Sequence, residues 1–359
     1  MSKKRVVVWS TGTVGRHAIK GIDAHPDLEL VGVWVSNPDK VGQDVGRLAG
    51  LDRDLGVVAT NDKQALYDLA PDAVLHAAMT DDRIFEAIDD LIDIVSHGIN
   101  VVSSGPVLLC YPYGLGLDEY VDRIKAACLA SGASLHVNGI DPGFANDVLP
   151  LVTSSLSQRI DLLRVSEIAD YSTYYQPVVM RDLFGFGKPL EEDGFLWTPG
   201  VLTMAWGPVV RALGDALGVD LDPDLVEHVE KAAADRDLST LSVDAAAGTM
   251  AAVRFSVTGT VGGTPRIVLE HVTRLAQDLC PQWPQPAEGG GCYRIEFQGE
   301  PRMRLDLTHA GEHGDHNVSG MIITAQRLIN AIPAVCAAEP GLVLAKDLLP
   351  VTGRGLVSS

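Results

Sequence analysis

The first 150 residues alternate between short apolar runs and segments with helical spacing, and no other feature constrains the fold as strongly. Runs at 6–10, 28–36, 73–77, 100–103 and 134–138 read as buried strands. Between them, residues 14–25, 63–69, 82–97 and 117–131 place apolar side chains at three- and four-residue intervals. Strands that alternate with helices cannot be joined as tight hairpins. They predict an α/β fold, a parallel sheet covered by helices on both faces.

Beyond about residue 160 the texture changes to longer alternating strands at 163–168, 250–260, 266–275, 292–298 and 302–309, with Gly262-Gly263 as a hairpin turn. Residues 183–237, rich in Phe, Trp, Gly and Pro, read as a helical and loop insertion in which Lys231 and Arg236 lie on an exposed helix surface. Residues 320–332 read as a helix with one apolar face, ending near Pro333. The chain has 359 residues, enough for two cores at roughly 100–200 residues per domain. The expected organisation is a parallel-sheet domain over 1–150, an α+β domain with a largely antiparallel sheet over 151–315, and a helix with tail over 316–359.

Charge narrows the partners. Asp plus Glu number 47 against 28 Lys plus Arg, a formal charge of −19, so the chain repels polyphosphates at long range. Nucleic acid and anionic membrane surfaces are excluded as general partners, and a phosphate-bearing ligand needs a local site built from backbone N–H groups. The five cysteines form no C-x-x-C pair, which points to a reducing, cytoplasmic compartment. No apolar stretch reads as a membrane span of about 20 residues.

Such a local site is written after the first strand. Ser10, Thr11, Gly12, Thr13, Val14 and Gly15 lead from strand to helix in the manner of a G-x-G-x-x-G turn, with Ser10 in place of the first glycine. Gly12 lets backbone approach a pyrophosphate and Gly15 lets the helix pack on the strand, which predicts a dinucleotide-binding Rossmann domain. The second strand ends on Ser36 and Asn37, without an acidic residue at its tip for a ribose diol, and Lys40 can neutralise a 2′-phosphate. NADP is therefore favoured as cofactor. Asp39 keeps NAD open.

Three further stretches accompany this loop: Val102-Ser103-Ser104-Gly105-Pro106 leading to Tyr111-Pro112, Asn138-Gly139-Ile140-Asp141-Pro142-Gly143-Phe144, and Leu328-Ile329-Asn330-Ala331-Ile332-Pro333. Together they resemble the 2,4-diaminopentanoate dehydrogenase and native amine dehydrogenase family, which is dihydrodipicolinate reductase-like. The resemblance implies hydride transfer between a nicotinamide and a C=O or C=N carbon of a small hydrophobic substrate. It also implies a second domain that closes over the substrate and mediates a homodimer, and a last helix that returns to the Rossmann domain. By position, Ala77, Ala78, Met79 and Thr80 border the nicotinamide ribose, Ser103 and Ser104 lie near the nicotinamide, and Asn330 lies near its carboxamide. Asn138, Asp141 and Pro142 line the pocket.

Two departures accompany the likeness. The His-His-x-x-x-Lys helix of dicarboxylate-reducing relatives does not occur, and the stretch that carries an amine-handling glutamate in this family is here Pro106-Val107-Leu108-Leu109-Cys110, without a carboxylate. Candidates for the proton donor are then Tyr111, His136 and Asp141, with Tyr171, Tyr174 and Tyr175 able to close the site and Tyr174 a substrate contact. The aromatic stretch containing Phe184, Phe186, Phe195, Trp197 and Trp206 walls either a pocket or a core. Residues 309–316 gather three histidines, Glu312 and Asp315, yet two glycines in the run make it read as a solvated loop, not a metal site. The expectation is an NAD(P)H-dependent dehydrogenase or reductase, the alternatives being a nucleotide-binding sensor without turnover and a plain ketone or aldehyde reductase.

Overall fold

The structure is a computed structural model that describes residues 2–192, 194–348 and 351–356; parts of the expected C-terminal tail, 349–350 and 357–359, lie outside the described residues. The chain divides into two units, residues 1–144 with 321–359, and residues 145–320.

The first unit begins with β1 (Lys4–Trp9), α1 (Thr13–Ala24), β2 (Leu28–Trp34), α2 (Val45–Ala49), β3 (Ala59–Thr60) and α3 (Lys63–Tyr67). It continues through β4 (Ala73–His76), α4 (Ile84–Ser96), β5 (Asn100–Ser103), α5 (Asp118–Ser131) and β6 (Ser134–Val137). The second unit holds α6 (Val148–Ser154), β7 (Arg159–Asp170), α7 (Val201–Leu217), β8 (Val226–Ala233), β9 (Leu238–Ser239), β10 (Asp244–Ala245), β11 (Met250–Val261), β12 (Thr264–Arg274), β13 (Gly291–Glu300) and β14 (Met303–Thr308). Helix α8 (His316–Val335) and strand β15 (Gly341–Val343) close the chain, the division between units falling inside α8 after Gly320.

In the first unit seven parallel strands are ordered β15-β6-β5-β4-β1-β2-β3. The strands are apolar runs because both sheet faces are covered: Val6, Val7 and Val8 have no exposed surface. One face packs α1 and α8 through Ile19, Ile22, Leu328 and Ile329, and the other packs α4 and α5 through Ile88, Leu91 and Ile124. By length and composition α8 is apolar enough to cross a membrane, and its Ala325, Leu328, Ile329, Ala331, Ile332 and Val335 are packed into this core. Strand order reverses between β1 and β4, the place where open α/β sheets form a ligand crevice beyond the strand ends.

The second unit is built on a six-stranded sheet ordered β14-β13-β7-β12-β11-β8, in which β7 and β12 pair in parallel and the other neighbours antiparallel. The hairpin at Gly262-Gly263 forms, with both glycines at positive φ. Strand β8 departs from the sequence reading. Residues 226–233 are not part of a helical and loop insertion but an edge strand, and Lys231, expected on a helix surface, lies on β8 with its ammonium 5.5 Å from the Trp197 ring. Glu and Lys there favour a helix only weakly, and the open edge of β11 overrides them, aided by Arg254 and Glu230 at 3.2 Å. The aromatic stretch mainly builds core: Phe184 and Phe186 are buried and stacked at 5.3 Å, whereas Phe195 is exposed.

Candidate active site

Parallel strands bring their C-terminal loops to one edge, so the loops after β6, β5, β4, β1 and β2 line up in that order. At the centre is the loop after β1. Gly12 caps α1 with no side-chain hydrogen bond, and the first turn of α1 carries no acidic residue. Its leading N–H groups and the positive end of the helix dipole are thus presented to an anion. Gly15 sits so close to the strand that a Cβ there would lie 2.1 Å from the Ser10 carbonyl oxygen. Ser10 makes the turn at φ 99°, a region that favours glycine, and its Oγ accepts from the Gly12 N–H at 3.2 Å. These are the features a pyrophosphate needs, and the chain fits a dinucleotide at Ser10, Thr11, Gly12, Thr13, Val14 and Gly15.

The loop after β2 supplies the cation. Lys40 Nζ donates to Thr11 Oγ1 at 2.9 Å, which places an ammonium beside the phosphate loop. Ser36 and Asn37 are exposed, and Asn37 Oδ1 accepts from the Asp39 N–H at 2.9 Å. After β4, Ala78 is half-buried, Met79 exposed and Thr80 buried, and Thr80 packs against Gly105, where a Cβ would meet its Oγ1 at 2.4 Å.

The Ser103 side chain turns inward at the end of β5. It is fully buried, with Oγ 3.1 Å from His76 Nδ1 and donating to the Gly105 carbonyl, so it holds the β5 turn, and half-buried Ser104 is the more accessible of the two. His76, which the sequence reading did not single out, is buried and held down to a pKa of about 4 by desolvation. Val107–Cys110 forms a short 3₁₀ turn with Leu108 and Leu109 buried and Cys110 Sγ 3.4 Å from the Val137 carbonyl oxygen. The segment that bears a carboxylate in the resembled family is thus apolar packing. Tyr111 follows it, half-buried, edge-on to Tyr113 at 5.2 Å.

His136 is also not a proton donor in this arrangement. Asn138 Nδ2 donates to His136 Nε2 at 2.9 Å, which leaves Nδ1–H to donate to the Val343 carbonyl at 2.8 Å. Both ring nitrogens are engaged, and burial lowers its pKa to about 4. The ring fixes Asn138, whose Oδ1 accepts from the Gly139 N–H at 2.6 Å. Gly143 at φ 127° would place a Cβ 2.2 Å from that Oδ1, so the 138–143 turn is wound tightly on the Asn138 side chain, with half-buried Asp141 and buried Pro142 at its tip. Arg327 Nε donates to the Gly143 carbonyl at 3.3 Å, and its guanidinium lies 5.4 Å from the Phe144 ring, securing the turn from α8.

Asn330 is displaced from its expected place. Its Nδ2 donates to the Gln326 carbonyl at 2.8 Å and it faces Gly353, in the tail whose Arg354 pairs with Asp27 just before β2. That is the strand-entry end of the sheet, opposite the phosphate loop, whereas Thr324, packed at Gly139, and Arg327, bonded to Gly143, reach the exit end.

In the second unit, Tyr174 lies against Tyr171 at 4.7 Å. Tyr171 donates to Glu167 Oε1 at 2.9 Å, and His271 Nδ1 is 3.2 Å from Glu167 Oε2. Glu167 and His271 were not singled out from sequence, though each is an ionisable residue in phase with the inward residues of an alternating strand, Leu163 and Val165 on β7 and Ile267 and Leu269 on β12. The histidines of 309–316 do not converge as ligands: His309 and His316 stack at 4.2 Å, and His309 Nδ1 is 2.6 Å from Ser319 Oγ.

Residues 144–356 match the family described as the 2,4-diaminopentanoate dehydrogenase C-terminal domain. An amine dehydrogenase of Streptomyces virginiae is 43% identical over 352 residues, 97% of each chain. The chain belongs to the 2,4-diaminopentanoate dehydrogenase family. Like the other members, it is an enzyme of the dehydrogenase and reductase class. An amine dehydrogenase structure from Mycobacterium smegmatis shares the fold, with a TM-score of 0.79 at 23% identity over 99% of this chain and 98% of that one. A 4-hydroxy-tetrahydrodipicolinate reductase of Synechocystis is 27% identical over 166 residues, 45% of this chain and 56% of the reductase. In this 2,4-diaminopentanoate dehydrogenase family member the Ser10–Gly15 loop offers backbone N–H groups and the 138–143 turn offers a fixed amide. The side chains of Ser103, His136 and Asn330 are hydrogen-bonded within the first unit, to His76, Asn138 and Gln326.

Proposed function

We propose that this protein is an NADP(H)-dependent amine dehydrogenase acting on a small hydrophobic ketone or its amine. The observation that carries the cofactor half is the uncapped start of α1, closed against Ser10 at Gly15 and flanked by the Lys40 ammonium. The amine half is supported by the likeness to the Streptomyces enzyme along 97% of the chain. When bound, the nicotinamide supplies the hydride that turns a ketone and an ammonium ion into a primary amine and water, or takes it back in the reverse direction.

The chain's own residues do the rest. Backbone N–H groups of residues 13–15 would hold the pyrophosphate, Lys40 would neutralise the 2′-phosphate, and Asn138, fixed by His136, offers a rigid amide beside Asp141 and Pro142. Holding the reactants in one geometry contributes much of the rate.

Fluorescence titration with NADPH and NADH, followed by a panel of short aliphatic ketones with and without ammonium, tests the proposal. Tight NADPH binding with ammonium-dependent oxidation is the expected result, and Lys40→Ala is expected to weaken NADPH about tenfold, a loss of about 1.4 kcal/mol, while leaving NADH nearly unchanged. Ketone reduction that ignores ammonium would support a plain carbonyl reductase, and failure to bind either nucleotide would overturn the reading of the loop.

A further inference from the structure

We infer that Glu167, His271 and Tyr171 form a proton-handling site for ammonia in the second unit; the inference rests on the amine dehydrogenase reading.

It starts from strand register. Glu167 on β7 is directly paired with His271 on β12, and the row continues to Phe255 on β11 and Tyr293 on β13. The two rows before it on the same face are apolar, with Leu163, Val165, Ile267 and Leu269 at most 1% exposed. An acid and an imidazole therefore interrupt a hydrocarbon face, Glu167 at 8% and His271 at 4% exposure. Stability does not explain them, because replacing a buried ion pair by well-packed apolar residues is often neutral or stabilising. A sheet that needed only a core would carry Val or Leu here.

The geometry is that of an oriented acid and base. Tyr171 Oη donates to one carboxylate oxygen at 2.9 Å and His271 Nδ1 lies 3.2 Å from the other, so the carboxylate plane is fixed and the imidazole is turned with Nε2 as its basic nitrogen. Burial and the Glu167 charge push the Tyr171 phenol well above its ordinary range, which keeps it a donor to the carboxylate. Aromatic rings surround the pair: Phe255 stacks on the imidazole at 4.9 Å, Trp206 approaches it edge-on at 5.1 Å, and Tyr174 packs on Tyr171.

The proton balance asks for one such group. Glu167, through His271, takes a proton from ammonium; the ammonia released adds to the ketone carbon and gives a carbinolamine. The same proton then passes to the carbinolamine hydroxyl, which leaves as water, and the iminium that remains is ready for reduction. The carboxylate ends as it began, and no other co-reactant is needed.

Two measurements on the full-length protein decide this. With glutamate labelled at the δ-carboxyl carbon, the Glu167 resonance, assigned by its loss in Glu167→Gln, is followed during titration with ammonium chloride against sodium chloride. A saturable shift with ammonium alone is expected, and an identical response to both salts overturns the proposal. In turnover, folded Glu167→Gln is expected to lose at least a hundredfold in ammonium-dependent kcat, with NADPH affinity unchanged. Retention within tenfold overturns it. Tyr171→Phe keeps the shape of the site and stands in if Glu167→Gln fails to fold: a lowered kcat with an altered Glu167 titration supports the site, and wild-type behaviour in both overturns it. A wild type that aminates no ketone defeats the reading under Proposed function, while the carboxylate titration still decides the ammonium site.

Discussion

Ser10 and Gly15 show how single residues set this nucleotide loop. Ser10 occupies a φ of 99° that glycine adopts at no steric cost, and its Oγ recovers part of the strain by accepting from Gly12. Ser10→Gly is accordingly expected to raise unfolding stability by about 1 kcal/mol in urea denaturation, with NADPH affinity little changed. Gly15 is the opposite case. An added Cβ would lie 2.1 Å from a backbone oxygen that has no rotamer to escape into. Gly15→Ala should therefore displace the loop and weaken NADPH at least tenfold in fluorescence titration, a change of about 1.4 kcal/mol or more. Both glycines of this loop were legible from strand–turn–helix context, because their demand is local. The inward turn of the Ser103 hydroxyl was not, since it depends on His76 from the neighbouring strand.

Among the elements, α1 and α8 illustrate packing that sequence reading anticipated in outline. A Cβ on Gly21 of α1 would sit 2.5 Å from Ile329 Cδ1 and 2.6 Å from Gln326 Nε2 of α8. Gly21→Val adds helix propensity, worth a few tenths of a kcal/mol, but overpacks this contact at about 1–3 kcal/mol. Net destabilisation is expected, read as a lower urea midpoint; a higher midpoint would mean that the two flexible ends move aside freely. Strand β8 is the counterexample. Nothing in its Glu- and Lys-bearing sequence announces a strand, and it becomes one because β11 presents an edge for hydrogen bonding. The register of β7 against β12, which aligns Glu167 with His271, was likewise invisible along the chain.

Over the described chain, buried neutral histidines couple stability to acid. His76, His136 and His309 have folded-state pKa values lowered to about 4, by burial in each case, with His316 adding repulsion at His309. Against an ordinary value near 6.5, the unfolded chain binds more protons throughout the interval between, so stability rises with pH there. The contribution is complete above pH 6.5 and is lost as pH falls toward 4. Each fully buried ring, His76 and His136, is expected to withdraw about 2 kcal/mol by pH 5, His309 less, measurable as urea midpoints at pH 7.5, 6 and 5. His136→Gln should flatten that dependence, whereas an unchanged slope would show that His136 is not protonated on unfolding. By itself the sequence determined the parallel-sheet unit, the strand-rich second unit and the nucleotide loop, because periodicity and glycine placement act over a few residues. Tertiary structure decided which polar groups face inward, which partner each imidazole meets and which strand pairs an acid with a base. Those outcomes depend on register and burial between residues as far apart as His136 and Val343, and no local pattern encodes them.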